Sequence, residues 1–293
     1  MTSAHEILVA RAPGKVNLSL FVGAPRADGL HPLVSVVQAV SLADELTLSP
    51  AASGATGDEV LCAGVDGPNL AARALAAFRE ATGWDAPPQR LEIVKRVPVS
   101  AGMGGGSADA AAALRLAAHA AGGAPAALLH ELAVALGADV PSQLEPGRVL
   151  MSGAGEHVEP LPRPAPFGLA IVPSAATLST PEVYRAFDRL GGARSPAELE
   201  RAAAAARAGE PPPAVNDLEA AARALCPAID PVLADVRAAG ARAAMVSGSG
   251  PTVFGLFDTP AAARVATTWL AERQPRAIAA EPVDPAFGQV RTP

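Results

Sequence analysis

A chain of 293 residues that is 50% apolar and 18% charged is too hydrophobic to stay disordered and long enough for one large or two modest domains. Its net charge of −6 argues against a general nucleic-acid binder, which would carry a basic surface. Two widely separated cysteines, Cys62 and Cys226, give neither a disulfide framework nor a zinc spacing, and no apolar run reaches about 18 residues, so a soluble cytoplasmic protein with no membrane partner is expected.

In chain order, strands are expected at 7–9, 16–22, 33–40 and 45–48, with turn chemistry at Arg26-Ala27-Asp28-Gly29. Pro68 and Asn69 open a helix whose apolar positions Leu70, Leu75 and Phe78 share a face and which ends near Gly83. A strand at 91–97 leads into a glycine cluster, an Ala/Leu helix from about 107 to 121, and a second helix from Pro125 to Leu136 that stops at Gly137. Pro160, Pro162, Pro164 and Pro166 form a stiff connector, because each fixes φ and removes a ladder donor. Beyond it come a strand at 168–172, helices around 181–190, 195–208, 215–225 and 229–239, strands at 242–246 and 252–257, a helix at 260–273 and a strand near 277–283. Elements mixed without strict βαβ alternation suggest two α+β halves, divided as 1–160 and 161–293. The Ala/Arg run at 201–207 reads as a solvated helix.

The segment Pro98-Val99-Ser100-Ala101-Gly102-Met103-Gly104-Gly105-Gly106-Ser107-Ala108 carries most of the chemical information. Clustered glycines between a strand and a helix let the backbone wrap closely around a ligand, and the helix start offers unpaired N–H groups and a positive dipole end to an anion. Ser107 is suited to cap that helix or to offer its hydroxyl to a phosphate or its metal. A Walker A loop would need Lys after Gly106, and a dinucleotide fingerprint would need Gly where Ser107 stands, so neither common loop applies. Asp109, in the helix's first turn, is expected to face away from a phosphate or to hold a cation indirectly.

The set Ala12-Pro13-Gly14-Lys15-Val16-Asn17-Leu18, Gly102 to Ala111, and Val246-Ser247-Gly248-Ser249-Gly250-Pro251-Thr252 resembles the three motifs of the GHMP small-molecule kinases. Arg26-Ala27-Asp28-Gly29-Leu30-His31, Gly137-Ala138-Asp139-Val140-Pro141 and Asn216-Asp217-Leu218-Glu219 resemble those members that phosphorylate a cytidyl diphosphate alcohol in isoprenoid precursor synthesis. The resemblance implies a two-domain α+β fold, with a left-handed βαβ unit in the N-terminal domain and a ferredoxin-like C-terminal domain. It also implies ATP with Mg²⁺ as phosphoryl donor, a small-molecule alcohol as acceptor, and a monomer or homodimer.

Carried over by that resemblance, Asp139 is the base and Lys15 the catalytic lysine, one of only two lysines among 23 basic residues. The loop at 98–108 binds ATP, while Asn17, Gly248, Ser249 and Gly250 lie near the reacting hydroxyl. His31 bonds cytosine and Tyr184, the single tyrosine, stacks on it. Leu30 departs from the family, which usually has an aromatic there. Lys95 falls at no catalytic position and is read as solvated, and 216–219 as structural support that begins a helix with an Asn or Asp cap. The competing readings are a homoserine- or mevalonate-type kinase and a nucleotide-binding module without activity; retention of both Lys15 and Asp139 argues against the latter.

Overall fold

The computed structural model describes residues 6–65, 67–99 and 101–293. Two long antiparallel strands, β1 (Leu8–Val22) and β2 (Leu33–Pro50), organise the first half. Each spans two of the expected strands. The expected gap between 9 and 16 is itself strand: β1 runs through Pro13-Gly14 by shifting register between Pro13 and Lys15, and again between Asn17 and Ser19. Such irregularities re-aim side chains without ending the pairing. They fall on both sides of Lys15 and Asn17.

Strand β2 sits at the sheet's centre and pairs with β1, β4 (Gln89–Val94) and β5 (Arg148–Gly153). The parallel strands β3 (Glu59–Cys62) and β4 are joined through α1 (Leu70–Thr82), forming a βαβ unit. Asn69 caps α1 by accepting from the Ala71 N–H, and Gly83 ends it in the left-handed conformation. Strands β3, β5 and β6 (His157–Pro160) go beyond the sequence reading. They are four to six residues long and owe their conformation to the edges they pair with rather than to a marked local pattern. Helix α2 (Gly105–Ala120) covers the sheet, and α3 (Ala126–Leu136) packs on α1 and α2. Alanine makes α2 thin enough to be buried on nearly every side, from Ala108 to Ala118, against α1 and β1.

The second sheet contains β7 (Gly168–Val172), β8 (Ala243–Val246), β9 (Val253–Phe257) and β10 (Ile278–Ala280), all antiparallel, in the order β10–β7–β9–β8. Between β7 and β8 run α4 (Thr180–Leu190), α5 (Pro196–Arg207), α6 (Glu219–Leu225) and α7 (Ile229–Ala238), and α8 (Pro260–Leu270) joins β9 to β10. This is the split βαβ order of a ferredoxin-like layer. The two sheets share one apolar layer, in which Val16, Leu18 and Val36 meet Leu169, Ile171 and Phe254. Helix α5 corrects the expectation of a solvated Ala/Arg run. Leu199, Ala203 and Ala206 form its buried stripe in that layer, with the arginines on the outer face.

Among the described residues, no helix is long and apolar enough to cross a membrane, and Cys62 and Cys226 are both free thiols.

Candidate active site

One cleft of about 690 Å³ gathers Lys15, Asn17, His31, Gly102, Gly104, Ser107, Asp139, Tyr184, Gly248 and Ser249, brought together from both sheets. An adjoining cleft of about 350 Å³ is walled by Pro98, Val99, Ala101, Gly102, Gly104, Gly105, Gly106 and Ser107, with Asn69 and Leu70 opposite. Three expected contact residues line neither. Met103 and Ala108 are buried beneath the loop, and Gly250 lies behind its turn, where an added Cβ would meet the Val246 side chain at 2.8 Å. Met103 still contributes through its backbone, since its carbonyl accepts the Lys15 N–H at 2.9 Å. Ser100 lies outside the described residues.

At the centre, the Lys15 ammonium is buried, with Asp139 Oδ2 at 3.4 Å and Asn17 Oδ1 at 3.0 Å. The Asn17 amide in turn donates to Ser35 Oγ, whose hydroxyl donates to the Ser19 carbonyl. That chain locks Asn17 so that its oxygen faces the lysine. Asn17 was expected beside the substrate; it lines the cleft, but both of its side-chain polar ends hold protein groups. Asp139 sits in the turn between α3 and the short 3₁₀ helix Pro141–Gln143, and its backbone carbonyl accepts from Ser142 Oγ. Its carboxylate stays open to the cleft.

The glycine loop reaches helix α2 earlier than expected. Gly104, in the left-handed region at φ 66°, occupies the N-cap position, so Ser107 stands within the first turn and makes no cap. The N–H groups of Gly105, Gly106 and Ser107 precede the first helical hydrogen bond, Ala108 N–H to the Gly104 carbonyl, and are left for a ligand. No described residue lies within 4 Å of where a Gly106 Cβ would stand, which leaves room for an anion over the helix end. No group of three His, Cys, Asp or Glu side chains among the described residues could hold a metal ion.

Gly102 links this loop to the other half of the molecule. It has φ 75°, and an added Cβ would stand 2.7 Å from the Ser247 carbonyl and 2.8 Å from that of Gly250. Both close contacts are backbone oxygens, which cannot swing aside. Gly102→Ala is therefore expected to destabilise the protein by about 1–3 kcal/mol through left-handed strain and overpacking, read as a lowered denaturant midpoint. An unchanged midpoint would show that the 247–250 turn yields freely.

That turn is stitched by the Asn216–Glu219 segment. Asn216 Nδ2 donates to the Val246 and Gly248 carbonyls, and Glu219 accepts from the Val246 N–H. Neither Asn216 nor Asp217 is the N-cap of α6, a position held by Leu218 without a side-chain bond. Asn216 Oδ1 instead accepts the Leu218 N–H, and Asp217 grips Arg194 and the Val22 N–H. Support is its role.

At the far end, His31 and Tyr184 lie ring against ring, 4.9 Å apart and tilted by 41°. Burial first, then the charge of Asp139, push the Tyr184 hydroxyl up to about 12, so the ring stays neutral. His31 Nε2 lies 2.8 Å from Asp188 Oδ1. A carboxylate can only accept in this pair, so Nε2 is its donor. Sequence reasoning missed Asp188, although it follows Tyr184 by four residues in α4 and so shares its face. It also missed Arg185 and Thr180 on the cleft wall. Leu30 is there, half exposed, beside His31.

Lys95 is the clear correction. Rather than being solvated, it reaches Asp44 Oδ2 at 2.5 Å and Asp109 Oδ2 at 2.7 Å. Asp109 was expected to face away from a phosphate; it lines the same cleft as Gly105, Gly106 and Ser107, with its Oδ2 held by Lys95.

The chain matches the GHMP kinases N terminal domain over residues 69–147 and the GHMP kinases C terminal family over 185–274. A 4-diphosphocytidyl-2-C-methyl-D-erythritol kinase of Streptomyces coelicolor is 44% identical across 84% of this chain and 86% of its own length. The chain belongs to the GHMP kinase family. Another relative of that name, from Kineococcus radiotolerans, is 42% identical across 88% of this chain and 83% of its own. A solved 4-(cytidine 5′-diphospho)-2C-methyl-D-erythritol kinase superposes with a TM-score of 0.77 at 37% identity, covering 94% of this GHMP kinase and 98% of that chain. The homoserine kinase of Cytophaga hutchinsonii, at 18% identity and a TM-score of 0.73 over 99% of this chain and 98% of its own, shares the fold.

Proposed function

We propose that this GHMP kinase transfers the γ-phosphoryl group of ATP to the 2-hydroxyl of 4-diphosphocytidyl-2-C-methyl-D-erythritol, in non-mevalonate isoprenoid precursor synthesis. The observation that carries the reading is a pair of adjoining clefts that place the Lys15–Asp139 pair beside both a helix-end anion cradle and the His31–Tyr184 pocket. Relatives of that name and a matching solved structure support the choice of substrate. Division into an ATP-binding domain, 1–160, and a C-terminal domain, 161–293, fits the end of β6 at Pro160.

Phosphoryl transfer asks for positioning, charge stabilisation and an acceptor for the hydroxyl proton. Asp139 takes that proton. Lys15, held by Asn17, orients the carboxylate and steadies the negative charge that develops on the transferred group. The first-turn N–H groups of α2 receive the nucleotide phosphates. Ser107, which lines both clefts, would be the side chain to hold a Mg²⁺ brought by the nucleotide, whose charge would offset that of the phosphate oxygens.

At the other end, His31 hydrogen-bonds cytosine while Tyr184 offers a stacking face. With Leu30 in place of a second aromatic, Tyr184 carries most of the stacking. Tyr184→Ala is expected to raise KM for the cytidyl substrate about 10–100-fold, from stacking worth roughly 1–3 kcal/mol, with Tyr184→Phe near wild type. An unchanged KM in Tyr184→Ala would refute the stacking role.

The deciding experiment is a coupled assay with ATP and three acceptors: the cytidyl diphosphate alcohol, homoserine and mevalonate. Turnover of the first alone is expected. Turnover of another acceptor would move the chain elsewhere in the family, and ATP binding without any turnover would favour an inactive module.

A further inference from the structure

Arg115 lines neither substrate cleft, yet it is bonded to both chain segments that carry the Lys15–Asp139 pair. It stands on α2, the helix that packs along β1. Its Nη1 donates to the Gln143 carbonyl at 2.5 Å and, at the longer distance of 3.4 Å, to that of Leu144. Those carbonyls end the short 3₁₀ helix Pro141–Gln143, whose Ser142 holds the Asp139 carbonyl. Its Nη2 donates at 2.8 Å to the carbonyl of Arg11, which precedes Lys15 on β1.

No backbone hydrogen bond among the described residues joins 137–144 to β1, and β1 itself shifts its pairing between Pro13 and Lys15. Val140 shares the apolar core with Ala10 and Ala12, but such packing is non-directional. Apart from the Lys15–Asp139 contact, Arg115 is the one described side chain hydrogen-bonded to both segments.

Stability does not explain the guanidinium. Burial lowers it to about 10, so it stays charged at neutral pH. Among the described residues it makes no ion pair, and its Nε has no hydrogen-bond partner. The turn Pro285–Gly288 packs against it, since an added Cβ on Gly288 would stand 3.2 Å from Nη2. A half-buried charge without a counter-ion is costly, and an apolar side chain would fill the place with less desolvation. What an apolar side chain lacks is a planar fork whose two arms reach carbonyls on different segments.

We infer that Arg115 is a positioning residue for phosphoryl transfer: it fixes the turn bearing Asp139 against the strand bearing Lys15, and so sets the separation of the pair. Because it lines neither cleft, it acts on turnover rather than on binding. The inference rests on the kinase reading above, in which Asp139 takes the hydroxyl proton.

The test is steady-state kinetics in Arg115→Met, Arg115→Lys and Arg115→Met combined with Asp139→Asn, using the acceptor that the wild-type enzyme phosphorylates. Arg115→Met is expected to lower kcat about 10–100-fold, the scale of a displaced catalytic group, while both KM values stay within about threefold. Arg115→Lys keeps the stem and the charge, but one ammonium does not span both segments, so kcat should still fall about tenfold. In the Asp139→Asn background, Arg115→Met should cost less than about threefold more, because the group it positions has already gone. Arg115→Lys guards against a Met variant that fails to fold, and a kcat there within about threefold of wild type overturns the inference. So does unchanged kcat in a folded Arg115→Met, a loss that strikes kcat and both KM values alike, or one that recurs in full beside Asp139→Asn. Wild-type protein that phosphorylates no acceptor would overturn the kinase reading itself, and this inference with it.

Discussion

Replacing Asp139 with Asn is expected to lower kcat by about 10²–10⁴-fold, the range of a lost general base, while ADP binding and folding persist. The substitution keeps shape and removes only the charge and the proton-accepting capacity. Among the described residues, Asp139's carboxylate holds no backbone group and its one ionic partner is Lys15 at 3.4 Å; the turn is fixed instead through its carbonyl and Ser142. Lys15 would keep Asn17 as a hydrogen-bond acceptor, which limits the penalty of leaving a buried ammonium without its carboxylate. Single-turnover phosphoryl transfer beside an ADP titration separates the effects. Near-normal turnover in a folded Asp139→Asn protein removes Asp139 from the mechanism.

Legibility in the sequence followed how local each feature was. Helix α1 announces both ends, with Asn69 and Gly83 acting as a cap and a stop that need no tertiary context. The glycine loop was readable for the same reason, since a run of residues without side chains between a strand and a helix has few other uses. What escaped depended on partners distant in the chain. Strand β5 becomes a strand because Val34 to Gln38 pair with it, and Asp188 matters because His31 lies 157 positions before it. Lys95 shows this most sharply. Residues 91–97 suggest a strand running out into solvent, and only the fold brings Asp44 and Asp109 to meet its ammonium. The same limit misplaced the start of α2, since Gly104 takes the cap position through a left-handed backbone that glycine permits but does not signal.

Lys15→Arg should be as damaging as removal of the charge, with kcat falling by about 10²–10³-fold, comparable to loss of one preorganised transition-state donor. The reason is shape. The lysine stem runs between two glycines: a Cβ on Gly104 would stand 3.1 Å from Lys15 Cε, and one on Gly248 would stand 3.6 Å from Nζ. The ammonium fills that slot as a point charge between Asn17 and Asp139. A guanidinium is longer and planar, so its fork must press on the glycine loop, displace the Asn17 oxygen held through Ser35, or swing past Asp139. Overpacking of this kind costs about 1–3 kcal/mol and is expected to appear also as a lowered melting temperature. Lys15→Met separates the two contributions, because it keeps the stem and loses the charge. If Met and Arg are comparably inactive while both still bind ADP, the position requires charge and geometry together. An active Lys15→Arg enzyme would show that positive charge alone suffices there, and the paired glycines would then owe their small size to the path of the backbone.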